Sequence, residues 1–313
     1  MQKSRKIVLI GTGSVGASFA FAALNQDICD ELVMIDLNEA KVLADANDMQ
    51  DGLANFKSRV KVTKGDYSDC KDADIVVICA GIGQKPGQTR LELIETNVNI
   101  ATSLTQQVVA SGFDGIFLVA SNPVDILAYT VWKESGFHKS RVIGSGTSLD
   151  TARLRYQLSE QFDISPRNIN ACVFGEHGDS EFVAWSIANV AGVPLKNILG
   201  KDSITHEGLE SIYERTRDAA YRIIEAKGAT YYGVAMALTR ICKAILQDEQ
   251  ELLMLSTYLE GEYGQDDVYI SVPCIVGSSG ITNVLTPELT EEELVKFDNS
   301  VRILKENNPL IGK

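Results

Sequence analysis

The sequence predicts an α/β protein: a doubly wound parallel sheet followed by a second α+β catalytic domain. Three observations predict it. Lys6 to Asp36 reads as strand, glycine turn, helix and strand; short apolar runs then alternate with helical ones as far as Ile143; and beyond Gly144-Ser145-Gly146 the pattern changes to long helices and two antiparallel runs. That glycine-rich seam divides the chain into domains 1–145 and 146–313.

Lys6-Ile7-Val8-Leu9-Ile10 is the first buried strand, stopping at Gly11-Thr12-Gly13-Ser14-Val15-Gly16. A helix-like run, Ala17 to Gln26, follows, and Leu32 to Ile35 is a second strand ending on Asp36. This order, with a carboxylate about twenty residues after the last glycine, is the dinucleotide fingerprint. Gly11 permits the tight turn, Gly13 lets backbone approach a pyrophosphate, and Gly16 lets the helix pack on its strand. The helix N-terminus at Ser14 and Val15 offers unpaired N–H groups to the phosphates. Asp36 accepts hydrogen bonds from a ribose and repels a 2′-phosphate, which selects NAD over NADP. A secretory signal is the competing reading, because Lys3, Arg5 and Lys6 precede an uncharged stretch through Gln26. Three glycines within that stretch would break its helix, and the spaced Asp36 has no place in a signal.

Further along, Ala40 to Leu53 reads as a helix and Arg59 to Thr63 as a short strand. Ala73 to Ala80 is a buried strand ending at Gly81, followed by a Gly/Pro loop from Ile82 to Arg90. A long helix from about Leu91 to Ser111 leads to a strand at Gly115 to Val119. Ser121-Asn122-Pro123-Val124-Asp125 opens another helix, and Arg141-Val142-Ile143 is the sixth short strand. After the seam, Ser148 to Phe162 is helical, with Thr147 or Ser148 as its cap, and Ile169 to Phe174 is a strand. Gly208 to about Gln247 is helical with interruptions near Gly228 and Gly233. Met254 to Tyr258 pairs with Val268 to Val276, and a capping box, Thr290 to Glu293, starts the last helix.

Composition narrows the function. A net charge of −13 argues against a general nucleic-acid surface, while leaving room for a small anion held by local arginines. Six scattered cysteines lack zinc or redox spacing, which points to reduced thiols in the cytoplasm and to no metal. Outside the glycine-interrupted N-terminal stretch, no uncharged segment has the length of a membrane span.

Only three histidines are present. His138 and His206 lie in polar connections and read as solvated. His177, between Gly175 and Gly178 after a strand, is placed as a rigidly aimed acid–base group would be. Asp150 and Arg153 share one helix face, where a plain surface pair is the bland alternative. Arg90 at the end of a loop is likewise a solvated charge when taken alone.

Together these segments stop being independent. Gln84-Lys85-Pro86-Gly87-Gln88-Thr89-Arg90, Ser121-Asn122-Pro123-Val124-Asp125, Asp150-Thr151-Ala152-Arg153 and Gly175-Glu176-His177-Gly178-Asp179, after an NAD turn and in this order, resemble the lactate/malate dehydrogenase family over nearly the whole chain. The resemblance implies a Rossmann NAD-binding domain and a second catalytic domain. It implies that His177 is the acid–base group, Asp150 its carboxylate partner, Arg153 the fork for a substrate carboxylate and Arg90 the group that polarises the carbonyl. Asn122 would contact both carbonyl and nicotinamide, and Gly81 would join the cofactor-binding set. Malate-specific members carry a second arginine where Gln84 stands, and a neutral Gln84 leaves a second carboxylate without a counter-ion. Thr230 matches the lactate branch, where it borders the substrate's methyl group. Gly83 replaces a larger residue and loosens the pocket toward longer 2-keto acids.

The expected activity is therefore hydride transfer between NADH and pyruvate, giving L-lactate and NAD in glycolysis and fermentation. A malate or broader 2-hydroxyacid dehydrogenase and a catalytically idle NAD-binding homologue are the alternatives. The resemblance further implies a homotetramer. The first strand begins so near Met1 that the N-terminal arm of the animal members is expected to be absent. Bacterial members bind fructose 1,6-bisphosphate between subunits through an arginine and a histidine. Arg155 matches the arginine, but Asn170 stands at the histidine, so activation is expected to be weak or absent.

Overall fold

The computed structural model describes residues 4–55, 59–83, 90–198 and 206–311. In chain order, the first half contains β1 (Lys6–Ile10), α1 (Ser14–Asn25), β2 (Glu31–Ile35), α2 (Glu39–Gly52), β3 (Lys61–Lys64), β4 (Ile75–Ile78), α3 (Arg90–Ala110), β5 (Ile116–Val119), α4 (Val124–Ser135) and β6 (Val142–Gly144). Its strands are parallel, and β1 lies between β4 and β2. A strand covered on both faces needs an unbroken apolar run, and Ile7 to Ile10 are all buried. Each such side chain contributes roughly 1.5–3 kcal/mol when fully buried. At the edge, β3 places Lys61 and Lys64 beside its apolar Val62, which discourages pairing with another chain.

The second half contains α5 (Ser148–Phe162), β7 (Ile169–Asn170), β8 (Val173–Phe174), β9 (Phe182–Val183), β10 (Asn189–Val190), β11 (Val193–Pro194), α6 (Leu195–Ile198), α7 (His206–Arg217), α8 (Ala219–Lys227), α9 (Tyr232–Leu246), β12 (Glu251–Glu260), β13 (Asp266–Gly277), β14 (Gly280–Val284) and α10 (Glu291–Asn307). Strands β12 to β14 do not form a separate sheet. Ser256 of β12 pairs antiparallel with Gly144 of β6, extending the parallel sheet to nine strands in the order β14-β13-β12-β6-β5-β4-β1-β2-β3.

Several local expectations change. The run from Ile169 to Phe174 splits into β7 and β8, which pair with different partners, β10 and β9. Gly228 ends α8 in the left-handed conformation, as a helix-terminating glycine does. The break between α8 and α9 covers 228–231, next to both glycines; Gly233 is the second residue of α9, where an added Cβ would sit 2.8 Å from Leu149 Cδ1, so it lets α9 pack tightly on α5. The capping box at Thr290 and Glu293 forms, and Phe297, Val301 and Leu304 are buried below it, with Leu294 at the edge. All six cysteines are unpaired; Cys79 is partly rather than fully buried.

Candidate active site

The parallel strands deliver their loops to one edge of the sheet. At the end of β1, Gly11 has φ +96° and donates its N–H to Ile35 O at 2.8 Å. A Cβ there would lie 2.5 Å from Ala80 N, so no other residue fits without moving β4's exit. At Gly16 a Cβ would lie 2.0 Å from Gly11 O, which is how closely α1 rests on the turn. Gly13 instead faces open space, and as the N-cap of α1 it supplies no side-chain acceptor. The first N–H groups of α1, at Ser14 and Val15, are therefore left for an anion, in keeping with a dinucleotide pyrophosphate.

Asp36 follows β2. Its Oδ2 accepts from Thr12 N at 2.7 Å and Thr12 Oγ1 at 3.2 Å, and its Oδ1 accepts from Asn38 N at 2.9 Å. Burial alone would raise its pKa, but these bonds and the Lys41 charge hold it below the usual carboxylate range. It stays ionised at the distance along the chain where a ribose is read. Gly81 and Asn122 lie in the loops that follow the neighbouring strands β4 and β5. A buried asparagine unremarked in the sequence joins them: Asn97 of α3 receives Ile82 N at 3.0 Å and donates to Asn122 O at 2.9 Å. Gln84 lies outside the described residues, and Arg90 is described only as the first residue of α3.

The charged centre forms at the start of α5. Helical spacing puts Asp150 and Arg153 on one face, where Arg153 Nη1 donates to Asp150 Oδ1 at 2.9 Å. Asp150 Oδ2 meets His177 Nδ1 at 2.7 Å, and Arg153 Nη2 reaches Thr230 Oγ1 at 3.3 Å. The sequence-predicted His177, Asp150, Arg153 and Thr230 thus belong to one network drawn from three segments. Asp150 is only 3% exposed, so its two cationic donors replace the water it has lost. Burial would raise its pKa, yet His177 and Arg153 bring it below the ordinary value. Burial would lower that of His177, but Asp150 outweighs it and the imidazolium persists to about 9. The remaining ring nitrogen, Nε2, is the one left for substrate chemistry.

The loop carrying His177 is held from several sides. Gly175 exchanges backbone hydrogen bonds with Ser271 of β13, both 3.1 Å, and Glu176 N donates to Ser300 Oγ of α10 at 2.7 Å. His177 N donates to Asp125 Oδ2 at 2.9 Å. Asp125, buried on α4, was quoted in the sequence only as part of a motif; its clamp on the His177 backbone depends on a contact 52 residues away. The other predicted pair stays apart from this centre: Arg155 Nε donates to Ala171 O at 3.0 Å, and exposed Asn170 donates to Asn189 Oδ1 at 3.1 Å. His138 is exposed and bonded to Ser140, while His206 opens α7.

Asp150, His177 and Glu181 bring ligand-type atoms within 4.8 Å of one another. Both Asp150 oxygens and His177 Nδ1 are already committed to hydrogen bonds, so this trio is a charge cluster rather than a vacant metal cage. A cavity of about 610 Å³ opens at the opposite ends of the strands beside Arg5, Asp74, Asp114 and Arg141, and no predicted site residue lines it.

Residues 5–144 match the lactate/malate dehydrogenase NAD-binding domain, and residues 147–310 match that family's α/β C-terminal domain. The chain belongs to the lactate/malate dehydrogenase family. Among this family's members, the L-lactate dehydrogenase of Bacillus pumilus is 55% identical over 97% of both chains. L-lactate dehydrogenase 1 of Staphylococcus aureus is 54% identical over 97% of this chain and 96% of its own. The ligand-bound minor L-lactate dehydrogenase of Enterococcus mundtii superposes with a TM-score of 0.97 at 46% identity, over 99% of each chain. Membership makes NAD the cofactor, and the open turn at Gly13 with ionised Asp36 fits it. No helix among the described residues is long and apolar enough to cross a membrane.

Proposed function

We propose that this protein is an NAD-dependent L-lactate dehydrogenase, interconverting pyruvate and L-lactate. The observation that carries the reading is the Thr230–Arg153–Asp150–His177 network, which offers one fixed guanidinium and one protonated imidazole. NADH, when bound, would supply the hydride that the carbonyl carbon accepts. His177 Nε2 gives its proton to the carbonyl oxygen as that oxygen becomes negative, and Asp150 keeps the ring charged beforehand and correctly turned. Arg153 grips the substrate carboxylate with its planar fork, which Lys could not do. Thr230 borders the methyl group, Asn122 contacts carbonyl and nicotinamide, and Arg90 polarises the carbonyl.

Gly11, Gly13, Ser14, Val15, Gly16, Asp36 and Gly81 line the nucleotide's path. Residues 1–145 bind NAD and 146–313 bind substrate, a division supported by family matches that end at 144 and resume at 147. From family membership we infer a cytoplasmic homotetramer working in fermentation. The L configuration rests on the names of those relatives. Gln84 sets the choice of keto acid by offering no charge to a second carboxylate. Parallel measurement of NADH consumption with pyruvate and with oxaloacetate tests this: kcat/KM should favour pyruvate by at least tenfold. Equal values, or a preference for oxaloacetate, would make the enzyme a malate or broad 2-hydroxyacid dehydrogenase.

A further inference from the structure

Asp125 lies in the first turn of α4 and is only 2% exposed, yet the proton and hydride transfers make no use of it. Burying a carboxyl is costly unless its oxygens are hydrogen-bonded. Oδ2 has a donor, the His177 N–H at 2.9 Å. Oδ1 is buried without a hydrogen-bond partner among the described residues, and so is the hydroxyl of Ser256 on β12. These two orphaned atoms share one place. Ser256 pairs with Gly144 of β6, where an added Cβ would meet Ser256 Cβ at 2.7 Å and Ala128 Cβ at 3.3 Å. Ala128 stands three residues after Asp125, on the same face of α4. The Ser256 hydroxyl also favours the ionised form of Asp125, against the burial that raises its pKa to about 6.

The carboxyl sits where the two halves of the chain meet. Helix α4 falls within residues 5–144, the NAD-binding part, whereas Ser256 and His177 fall within 147–310. Ser271 and Ser300, which hold Gly175 and Glu176, belong to the same half as His177; Asp125 reaches it from the other. The segment leading into α4 is fixed in turn, because Asn97 Nδ2 donates to Asn122 O at 2.9 Å. Hydride and proton must reach neighbouring atoms of one carbonyl, the first from the cofactor's half and the second from that of His177. A misplacement of about 1 Å can cost on the order of 10²-fold in rate. Asp150, bonded to Nδ1, sets how the His177 ring is turned; Asp125, bonded to the backbone N–H, sets where the residue stands.

We propose that Asp125 is a positioning residue of the reaction, forming with Ser256 a buried joint that keeps His177 in register with the cofactor's half of the molecule. This deepens the lactate dehydrogenase reading and rests on it. The joint works through hydrogen bonds rather than charge. Asparagine can therefore replace the carboxyl, its amide oxygen accepting from His177 N–H and its amide nitrogen donating to Ser256 Oγ. Alanine can do neither, and it leaves the His177 N–H without its acceptor.

The experiment compares wild type, Asp125→Asn, Asp125→Ala and Ser256→Ala. It measures kcat and KM for pyruvate, NADH affinity by fluorescence titration, and amide hydrogen exchange of the His177 loop with NADH bound. In Asp125→Ala, kcat should fall by at least about tenfold, while pyruvate KM and NADH affinity stay within about threefold of wild type. Exchange across residues 175–179 should be faster in the same variant. Asp125→Asn should recover most of kcat and the slow exchange, and Ser256→Ala should lower kcat several-fold. A folded Asp125→Ala that loses thermal stability but keeps wild-type kcat overturns the proposal. So does an Asp125→Asn as slow as Asp125→Ala, because charge rather than hydrogen bonding would then be the cause. If Asp125→Ala does not fold, Ser256→Ala decides alone, and unchanged kcat and exchange in it overturn the proposal. If wild type does not turn over pyruvate, the lactate dehydrogenase reading fails, while exchange in the His177 loop still reports whether Asp125 holds it.

Discussion

The turn at the end of β1 and the pocket at the start of α5 are built from opposite materials. In the turn, missing side chains make the site: Gly11 and Gly16 allow backbone to touch backbone, and Gly13 leaves a helix terminus bare. In the pocket, side chains make the site, and their protonation states depend on one another. Six consecutive residues specify the turn. The pocket needs α4, α5, the His177 loop, α7 and the approach to α9 to arrive together. Shape is thus set locally and charge is set by the tertiary fold, so damage to one region should leave the other working.

The largest separation of the two is expected from His177→Asn. Loss of a positioned proton donor should lower kcat for pyruvate reduction by roughly 10²–10⁴-fold. NADH affinity, followed by fluorescence titration, should stay as in wild type; a parallel fall in NADH binding would mean that the regions are coupled. Gly16→Ala makes the reverse cut. Its Cβ would lie 2.0 Å from Gly11 O, and such overpacking costs about 1–3 kcal/mol. Thermal stability and NADH affinity should drop, while the pH profile of pyruvate reduction at saturating NADH holds its position. A shifted profile would show strain reaching the charged centre. The smallest effect is expected from fructose 1,6-bisphosphate. Arg155 and Asn170 already spend donors on Ala171 O and Asn189 Oδ1, and Asn170 brings no charge. Millimolar effector should therefore move pyruvate half-saturation by less than twofold; a large drop, or a sigmoidal curve made hyperbolic, would show that the pair suffices.

How much was legible in the sequence follows the same division. The fingerprint, the alternation of strands and helices, and the capping box at Thr290 are local signals, and the corresponding elements lie within a few residues of their expected bounds. Joining β12 to β6 was not legible, because pairing Ser256 with Gly144 is a long-range contact with no local spacing to announce it. The break near Gly228 and Gly233 was legible, but that Gly228 ends a helix while Gly233 serves close packing on Leu149 was not, because a glycine needed for a turn and one needed for packing look alike in a sequence. In the pocket, Asp150 and Arg153 were readable as a pair on one helix turn, and resemblance attached His177 to them. Asp125 and Asn97 were missed, since each bonds a partner brought near only by folding.

Asp150 sets the charge of His177. Burial alone would take the imidazole below its ordinary 6.5, and Asp150 reverses this to bring it to about 9. Reduction needs the protonated ring, so it should persist up to that pH and fail above it, while L-lactate oxidation should gain over the same interval. The direct measurement is kcat for pyruvate reduction against pH in wild type and in Asp150→Asn, with the folded state of each checked by circular dichroism. The variant keeps a hydrogen-bonding oxygen but loses the negative charge, so its alkaline limb should lie at least one pH unit lower, about the effect of an adjacent charge. An alkaline limb at the same pH in both proteins would contradict the account, because something other than Asp150 would then hold the proton on His177.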